Sequence, residues 1–126
     1  MLGKLSGLLV FALVLLAATA AWAFDAGDRV LALWEDAYWY PATVEAASGD
    51  VLTLHFDDGT RLKVDAQRVK PLAWRPGQQV ECRWPHDGKQ YPAIILKRDG
   101  DMIEVEYVQD GAKAKAHIGT CRESRY

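Results

Sequence analysis

The sequence predicts an all-β protein made of two small five-stranded barrels in tandem, and three observations lead to that prediction. First, the segment Asp28–Pro71 recurs as Gln78–Arg122, so that GDRVLALW is answered by GQQVECRW and YPATV by YPAII. Second, the offset between equivalent residues grows from 50 to 52, and each gain falls where a turn is expected. A repeat that slips only in its turns is typical of a duplicated domain. Third, each copy holds five short β-type runs, and no segment has the periodicity of an amphipathic helix.

The first copy opens with a strand that is entered through a turn at Gly27. Its third strand alternates, with Leu52, Leu54 and Phe56 on the face that we expect to be buried. The dipeptide Asp58-Gly59 then predicts a tight hairpin into the fourth strand. The predicted strands of this copy are 28–34, 38–46, 51–56, 60–64 and 69–70, with a single helical turn at 65–68.

The second copy repeats this order after a linker, Pro71–Pro76, that two prolines make stiff. Its third strand alternates more regularly, with Ile103, Val105 and Tyr107 expected inward. One copy alone is close to the size at which a single core is marginal, so we expect the two barrels to pack together. The predicted strands of this copy lie near 79–84, 90–97, 101–108 and 112–117, and the last lies around Cys121.

Residues 1–23 are predicted to be a secretory signal peptide. Lys4 supplies a positive start, residues 8–18 form a short apolar run, and Ala21-Trp22-Ala23 is an A-x-A cleavage pattern. An uncleaved membrane anchor would need about 20 apolar residues. We therefore expect a mature chain that begins at Phe24, is periplasmic or secreted, and does not insert into the membrane. The first barrel is then expected at 24–72, the linker at 73–76 and the second barrel at 77–126.

Composition argues against several classes of function. The formal net charge is −2, which gives the chain no electrostatic reason to bind nucleic acid. The three histidines, His55, His86 and His117, lack the spacing of a metal site. We find no nucleophile turn, phosphate-binding loop or carboxylate pair suited to catalysis. We expect a protein without enzymatic activity, cofactor or metal.

The only two cysteines, Cys82 and Cys121, lie in the first and last strands of the second copy. An exported chain with two cysteines favours a disulfide over two buried free thiols. Closing this loop would stabilise the chain by about 3–4 kcal/mol in the chain-entropy model.

Each copy resembles a Tudor domain. The motif that carries the resemblance is W-x(5–6)-Y-P-A, followed by an aromatic residue at the end of the third strand and a D-G turn. Both copies contain it in that order, so the likeness covers nearly all of the mature chain. The resemblance, to Tudor domains of the survival motor neuron type and of methyl-histone readers, implies SH3-like barrels that bind methylated lysine or arginine in an aromatic cage.

Carried over by position, the resemblance implies one cage in each copy, with an acidic residue at its rim. An organic cation among two or three aromatic rings gains about 2 kcal/mol or more when it is desolvated. Spacing favours the second copy, because the hairpin of the first is one residue shorter. The candidate cage residues are Trp34, Tyr40, Phe56 and Asp58 in the first copy, and Trp84, Tyr91, Tyr107 and Asp110 in the second.

Two departures from the family pattern bear on the ligand. An aromatic residue common in the hairpin is replaced by Asp in both copies. An Asn that follows the hairpin glycine in arginine readers is Thr60 in one copy and Ala112 in the other. The alternative for the aromatic residues themselves is that they only cap the open end of a small barrel, since aromatic residues are common in strands.

Apolar residues expected on the outer faces of the strands predict a seam between the barrels. They are Trp39, Val51, Trp74, Ile94 and Leu96.

The sequence thus predicts an exported binding module that recognises a cationic or methylated side chain, or a peptide segment, of a protein partner. The alternatives are a structural accessory subunit that makes protein contacts without a cage ligand, and a cell-envelope binder of peptidoglycan. Nothing in the sequence decides the oligomeric state.

Overall fold

The computed structural model describes residues 22–125, and these residues form ten β-strands and two three-residue 3-10 turns. The predicted signal peptide therefore lies almost wholly outside the described residues. Within 22–125 no helix has the length and apolar character to cross a membrane. In the first unit the elements are β1 Arg29–Leu33, β2 Tyr38–Ser48, β3 Val51–Phe56, β4 Arg61–Asp65, the 3-10 turn Ala66–Arg68 and β5 Val69–Pro71. In the second they are β6 Gln79–Arg83, β7 Gln90–Asp99, β8 Met102–Tyr107, β9 Lys113–His117, the 3-10 turn Ile118–Thr120 and β10 Cys121–Ser124.

Both units have the same strand pairing. In the first, β2, β3 and β4 form an antiparallel meander, and β1 pairs with β2 and β5. In the second, β6 to β9 follow one another and β10 pairs with β6. A register shift bends β2 between Val44 and Ala46, and another bends β7 at the equivalent place, between Ile95 and Lys97. Such bulges curl a sheet. The predicted all-β fold, with two tandem five-stranded barrels, is confirmed.

The two cores share eight equivalent positions. The inward faces predicted for the third strands are confirmed, because Leu54 and Val105 are fully buried and their strands alternate as expected. Shared positions explain why one sequence pattern gives the same barrel twice. The core of the first barrel contains Val30, Ala32, Ala42, Val44, Leu52, Leu54, Phe56 and Val69, and the equivalent residues of the second are Val80, Cys82, Ala93, Ile95, Ile103, Val105, Tyr107 and Cys121.

The entry turns of the two barrels also match. Gly27 has φ 95° and Gly77 has φ 93°, a region that residues with a Cβ rarely adopt. The Gly27 N–H donates to the Val44 carbonyl at 2.8 Å, and the Gly77 N–H donates to the Ile95 carbonyl at the same distance. These turns set where the first strand of each barrel meets the second.

The seam between the barrels is apolar, and it only partly matches the prediction. Trp39 packs against the core of the second barrel, and Trp74 is buried within it, as predicted. Leu31 and Leu72 are buried there too. Leu31 lies on the outer face of β1, which is therefore buried on both sides. The seam is thus formed by β1, the start of β2 and the linker.

The prediction was wrong for Val51 and Leu96, which are 43% and 42% exposed. Val51 pairs with Ser48 and Asp65 at the far end of its hairpin, away from the seam. Leu96 is the residue skipped by the register shift of β7, so it bulges outward. Ile94 is half-buried within the β7 ladder.

Strand β10 joins the barrels into one sheet. On one side Cys121 pairs with Cys82 of β6, and on the other Glu123 and Ser124 pair with the start of β2. The predicted disulfide between Cys82 and Cys121 is confirmed, with a Cα–Cα distance of 4.1 Å. The covalent bond therefore ties the joining strand to its own barrel.

Polar contacts at the seam reinforce the joining strand. Glu123 accepts hydrogen bonds from the Trp74 indole N–H at 2.8 Å and from the Lys70 ammonium at 2.5 Å. That ammonium lies 4.3 Å from the centroid of the Trp39 ring. The carboxylate thus holds the linker and the first barrel against β10.

Candidate functional site

The aromatic residues predicted for the first cage meet at the end of the first barrel. Trp34 follows β1, Tyr40 lies in β2, and Phe56 ends β3. The Trp34 ring contacts both others edge to face, with centroids 5.6 Å from Tyr40 and 5.4 Å from Phe56. Phe56 is only 3% exposed, so it forms the floor, whereas Trp34 and Tyr40 are half-buried walls. Within the described residues the buried Trp34 indole N–H has no hydrogen-bond partner. Packing alone therefore holds this ring.

A carboxylate orients the tyrosine wall. The Tyr40 hydroxyl donates to Asp36 at 2.5 Å, and the other Asp36 oxygen accepts the Tyr38 backbone N–H at 3.0 Å. Burial raises the pKa of Tyr40, and the bond to Asp36 raises it further. Arg122 of the second barrel donates to the same hydroxyl at 3.1 Å and lowers that pKa. Asp36 and Arg122, which are far apart in sequence, thus both fix the orientation of the Tyr40 ring.

Two further carboxylates lie at the hairpin that closes the cage. Asp58, the predicted rim residue, accepts the Thr60 backbone N–H at 2.8 Å and so closes the turn. Asp57 forms a bidentate ion pair with Arg29 at 2.7 and 2.8 Å. Arg29 also reaches Asp101 in the second barrel, at 3.2 Å. The hairpin that carries the cage is therefore fastened across the seam.

The second barrel supplies the opposite wall of this site. The three rings and three carboxylates line a cavity of about 250 Å³ together with Arg83, Gln90, Gly119 and Thr120. Gly119 approaches the hairpin so closely that a Cβ there would lie 2.7 Å from the Asp57 Cβ. The first cage is consequently a cleft between two barrels rather than a pocket in one.

The predicted cage of the second barrel is smaller. Trp84, Tyr91, Tyr107 and Asp110 line one cavity of about 150 Å³, with Asp87 and Gln109. Trp84 contacts Tyr107 edge to face, with the centroids 4.9 Å apart. Asp110 accepts the Ala112 backbone N–H at 3.0 Å, as Asp58 does at its own turn. The structure thus brings together all four predicted residues in this barrel too.

The tyrosine of the second cage is oriented in the same way as that of the first. The Tyr91 hydroxyl donates to Asp87, and this bond raises the pKa of Tyr91 and lowers the pKa of Asp87. Burial raises the pKa of Tyr107, a residue that is 4% exposed. Tyr107 is therefore mainly a core residue with one edge in the cavity.

The orienting carboxylates, Asp36 and Asp87, are absent from the sequence-based prediction. A signal for them exists, since the spacing D-x-x-x-Y-P-A occurs in both copies. The wall from the second barrel gave no such signal, because its residues are not equivalent to any cage position.

The described residues contain no group of three or more His, Cys, Asp or Glu that could hold a metal ion.

His117 accepts the Gly119 backbone N–H at 2.9 Å and so shapes the 3-10 turn at the seam.

Comparison with known proteins identifies the fold. Residues 26–72 match the family model for the Tudor domain of the DNA repair protein Crb2. The crystal structure of the Crb2 tandem tudor domains aligns with 82% of this chain and 82% of its own, at 19% identity and a TM-score of 0.56. The chain has the tandem Tudor fold. Tandem Agenet structures align less well: Arabidopsis thaliana AGDP1 AGD34 gives 14% identity, 79% and 82% coverage and a TM-score of 0.41. The ADCP1 tandem Agenet domain 3–4 gives 14% identity, 79% coverage of each chain and a TM-score of 0.38. No curated protein sequence matches the chain.

The Tudor match to residues 26–72 covers the first barrel, including Trp34, Tyr40 and Phe56. The second Tudor barrel is recognised through the structural alignment and through its shared core. The predicted resemblance to a tandem Tudor protein is therefore confirmed.

Proposed function

We propose that this tandem Tudor chain is an exported binding module, without enzymatic activity, that takes a methylated or otherwise cationic side chain of a protein or peptide. The observation that carries the proposal is the cleft of about 250 Å³, which has three aromatic rings on one side and Asp36, Asp57 and Asp58 beside them. The Tudor fold supports it, because the resemblance implies a binding module rather than an enzyme.

The chemistry of the cleft suits an organic cation. Aromatic faces are electron-rich, and Trp34 and the two rings that it contacts edge to face line one cavity. The Asp57 carboxylate is already neutralised by Arg29. Only one oxygen of Asp58 accepts the hydrogen bond that closes the turn. The negative charge of this carboxylate can therefore attract a cation bound in the cleft. A dimethylammonium group, which keeps one N–H, would gain both ring contacts and a charge-assisted hydrogen bond.

We place the primary site in the first cleft because it is larger than the cavity in the second barrel and is closed by residues of both barrels. Motif spacing favours the second barrel instead, and that preference stays a prediction. Trp34→Leu and Trp84→Leu are matched probes, since both indoles are half-buried at equivalent positions.

The test is calorimetric titration of the mature protein with peptides that carry unmodified, monomethylated, dimethylated or trimethylated lysine. We expect one methylated form to saturate, and Trp34→Leu to weaken it about tenfold while Trp84→Leu leaves it unchanged. The reverse pattern would place the site in the second barrel. Saturation by none of the peptides, with the protein folded, would refute recognition of methylated lysine and favour a structural subunit. Pull-down on purified cell wall would then test the envelope alternative.

Export is the second part of the proposal, and the A-x-A pattern at Ala21-Trp22-Ala23 supports it. The intact mass of the secreted protein should correspond to a chain that begins at Phe24. A mass that retains residues 1–23 would contradict cleavage.

A further inference from the structure

The wall that the second barrel gives to the first cleft has a feature unrelated to the cage. Arg83, at the end of β6, lines the cleft and is exposed. Within the described residues its guanidinium has no ion pair or hydrogen bond. The other arginines at the seam differ, because Arg29 is held by Asp57 and Arg122 by Glu81. Arg83 is thus a cation left available at the mouth of an aromatic, acidic cleft.

The position of Arg83 follows from the repeat. Arg83 pairs with Gln90 across β6 and β7, and both side chains line the cleft. The equivalent pair in the first barrel is Leu33 with Trp39, and Trp39 packs against the second barrel. Trp39 therefore faces the second barrel at the seam, whereas its counterpart Gln90 borders the cleft together with Arg83.

A free guanidinium in this place selects an anion. Its planar fork binds carboxylates with two parallel hydrogen bonds. A ligand held by its cation among the rings would have its flanking residues beside Arg83, because both walls belong to one cavity. An extended chain advances roughly 3.3–3.6 Å per residue, so the anion would come from a residue close in sequence to the cationic one.

We propose that Arg83 makes the first cleft prefer a methylated-lysine peptide that carries an acidic residue within about three positions of the lysine. The inference rests on the proposed function and adds the chemistry of the partner segment. It is a claim about specificity, since the rings would hold the cation whether or not the acid is present.

The test uses a dimethyl-lysine peptide with neutral flanks and six variants with Glu at each position from −3 to +3, titrated calorimetrically at low salt. Glu at one or more positions on one side should raise affinity for the wild-type protein about threefold to tenfold, and added salt should reduce that gain. Arg83→Gln should abolish the gain, so that this variant binds the Glu peptides no more tightly than it binds the neutral peptide.

Arg75→Gln is the matched control. Arg75 lies in the linker and is exposed, and within residues 22–125 its guanidinium also has no ion pair or hydrogen bond, but it borders a different cavity, near Trp74. Arg75→Gln removes the same charge as Arg83→Gln but does not alter the first cleft. This variant should therefore keep the full gain in affinity from Glu. Equal melting temperatures for the three proteins would exclude a folding defect.

The outcomes separate the two proposals. If the neutral peptide binds but Glu raises affinity nowhere, or if the gain survives Arg83→Gln, the inference about Arg83 is wrong and the cage stands. If Glu raises the affinity of an unmodified lysine peptide by the same factor as that of the dimethyl-lysine peptide, the protein recognises charge alone. The inference is then also overturned. If no methylated peptide binds at all, the proposed function fails and this inference fails with it.

Discussion

The hydrogen-bonded network around Arg122 predicts that one side chain of β10 holds the two barrels together. Its guanidinium donates to Glu81 at 2.9 and 3.1 Å, donates to the Tyr40 hydroxyl at 3.1 Å, and lies 3.7 Å from the centroid of the Tyr38 ring. Arg122→Met keeps the aliphatic stem and removes all the donors. The perturbation therefore isolates the polar contacts from the packing.

The expected loss of unfolding free energy follows from the hydrogen bonds that Glu81 would still have in Arg122→Met. Glu81 is 21% exposed at its side chain and would keep only the Tyr38 hydroxyl, at 3.2 Å, as a donor among these contacts. Removing one partner of a fully buried ion pair costs 3–5 kcal/mol, and partial exposure reduces this, so we expect about 2–3 kcal/mol of unfolding free energy to be lost. For a domain of this size that corresponds to a fall in melting temperature of roughly 8–20 °C.

The assay is urea unfolding of wild type, Arg122→Met, Glu81→Gln and the double variant. Because the two side chains contact each other, the cycle should give a coupling energy of about 1–2 kcal/mol. Arg61→Met is the control: Arg61 pairs with Glu45 at 3.1 Å on the open surface, with side chains 60% and 36% exposed. Its loss should stay below about 1 kcal/mol.

A separate readout tests the contact with the cage. Arg122 lowers the pKa of Tyr40, so the variant should raise that pKa further, as followed by tyrosinate absorbance. An additive cycle, or a loss no larger than that of Arg61→Met, would refute the role given to this network.

Three further predictions concern the seam, the cage loop and alkaline pH. Gly119→Ala would place a methyl group 2.7 Å from the Asp57 Cβ, so we expect a loss of about 1–3 kcal/mol in urea unfolding, against less than about 0.5 kcal/mol for Gln67→Ala at the equivalent position. Equal losses would contradict the close approach. Ala37 has φ 69° where the other copy has Gly88 at φ 71°, so Ala37→Gly should raise the melting temperature by a few degrees, equivalent to about 0.5–1 kcal/mol. A lower melting temperature would speak against strain there. Burial and Asp36 raise the pKa of Tyr40, so stability from this group is complete below about pH 10 and is lost as pH rises toward the folded-state pKa. Tyr40→Phe should flatten that alkaline decline in urea unfolding, and an unchanged decline would disprove the contribution.

The sequence by itself determined the fold, the repeat and the core. Each strand is a short run whose inward residues alternate, and the same pattern occurs twice, so local periodicity and turn chemistry were enough to place Leu54 and Val105 inside. The cage residues could be predicted from the sequence equally well, because Trp34, Tyr40 and Phe56 lie near strand ends that any five-stranded barrel of this type brings together. The cysteine pair followed from its place in first and last strands.

The seam was only partly visible in the sequence. Outward-facing Trp39 and Trp74 could be identified as seam residues, but Val51 and Leu96 were indistinguishable from them in sequence. Leu31 was missed, although β1 reads as a continuous apolar run while its copy β6 alternates, which is how a strand buried on both faces appears.

Only the tertiary structure decided what the second barrel does at the first cage. Arg83 and Gly119 look like an ordinary strand end and turn, and neither lies near a residue of the first cage in sequence. They reach the cleft because β10 crosses from β6 to β2 and fixes how the barrels sit against each other. Periodicity reports which face of a strand is buried, whereas the docking of two faces depends on contacts among residues distant in the chain, such as Arg29 with Asp101. No local pattern encodes those contacts.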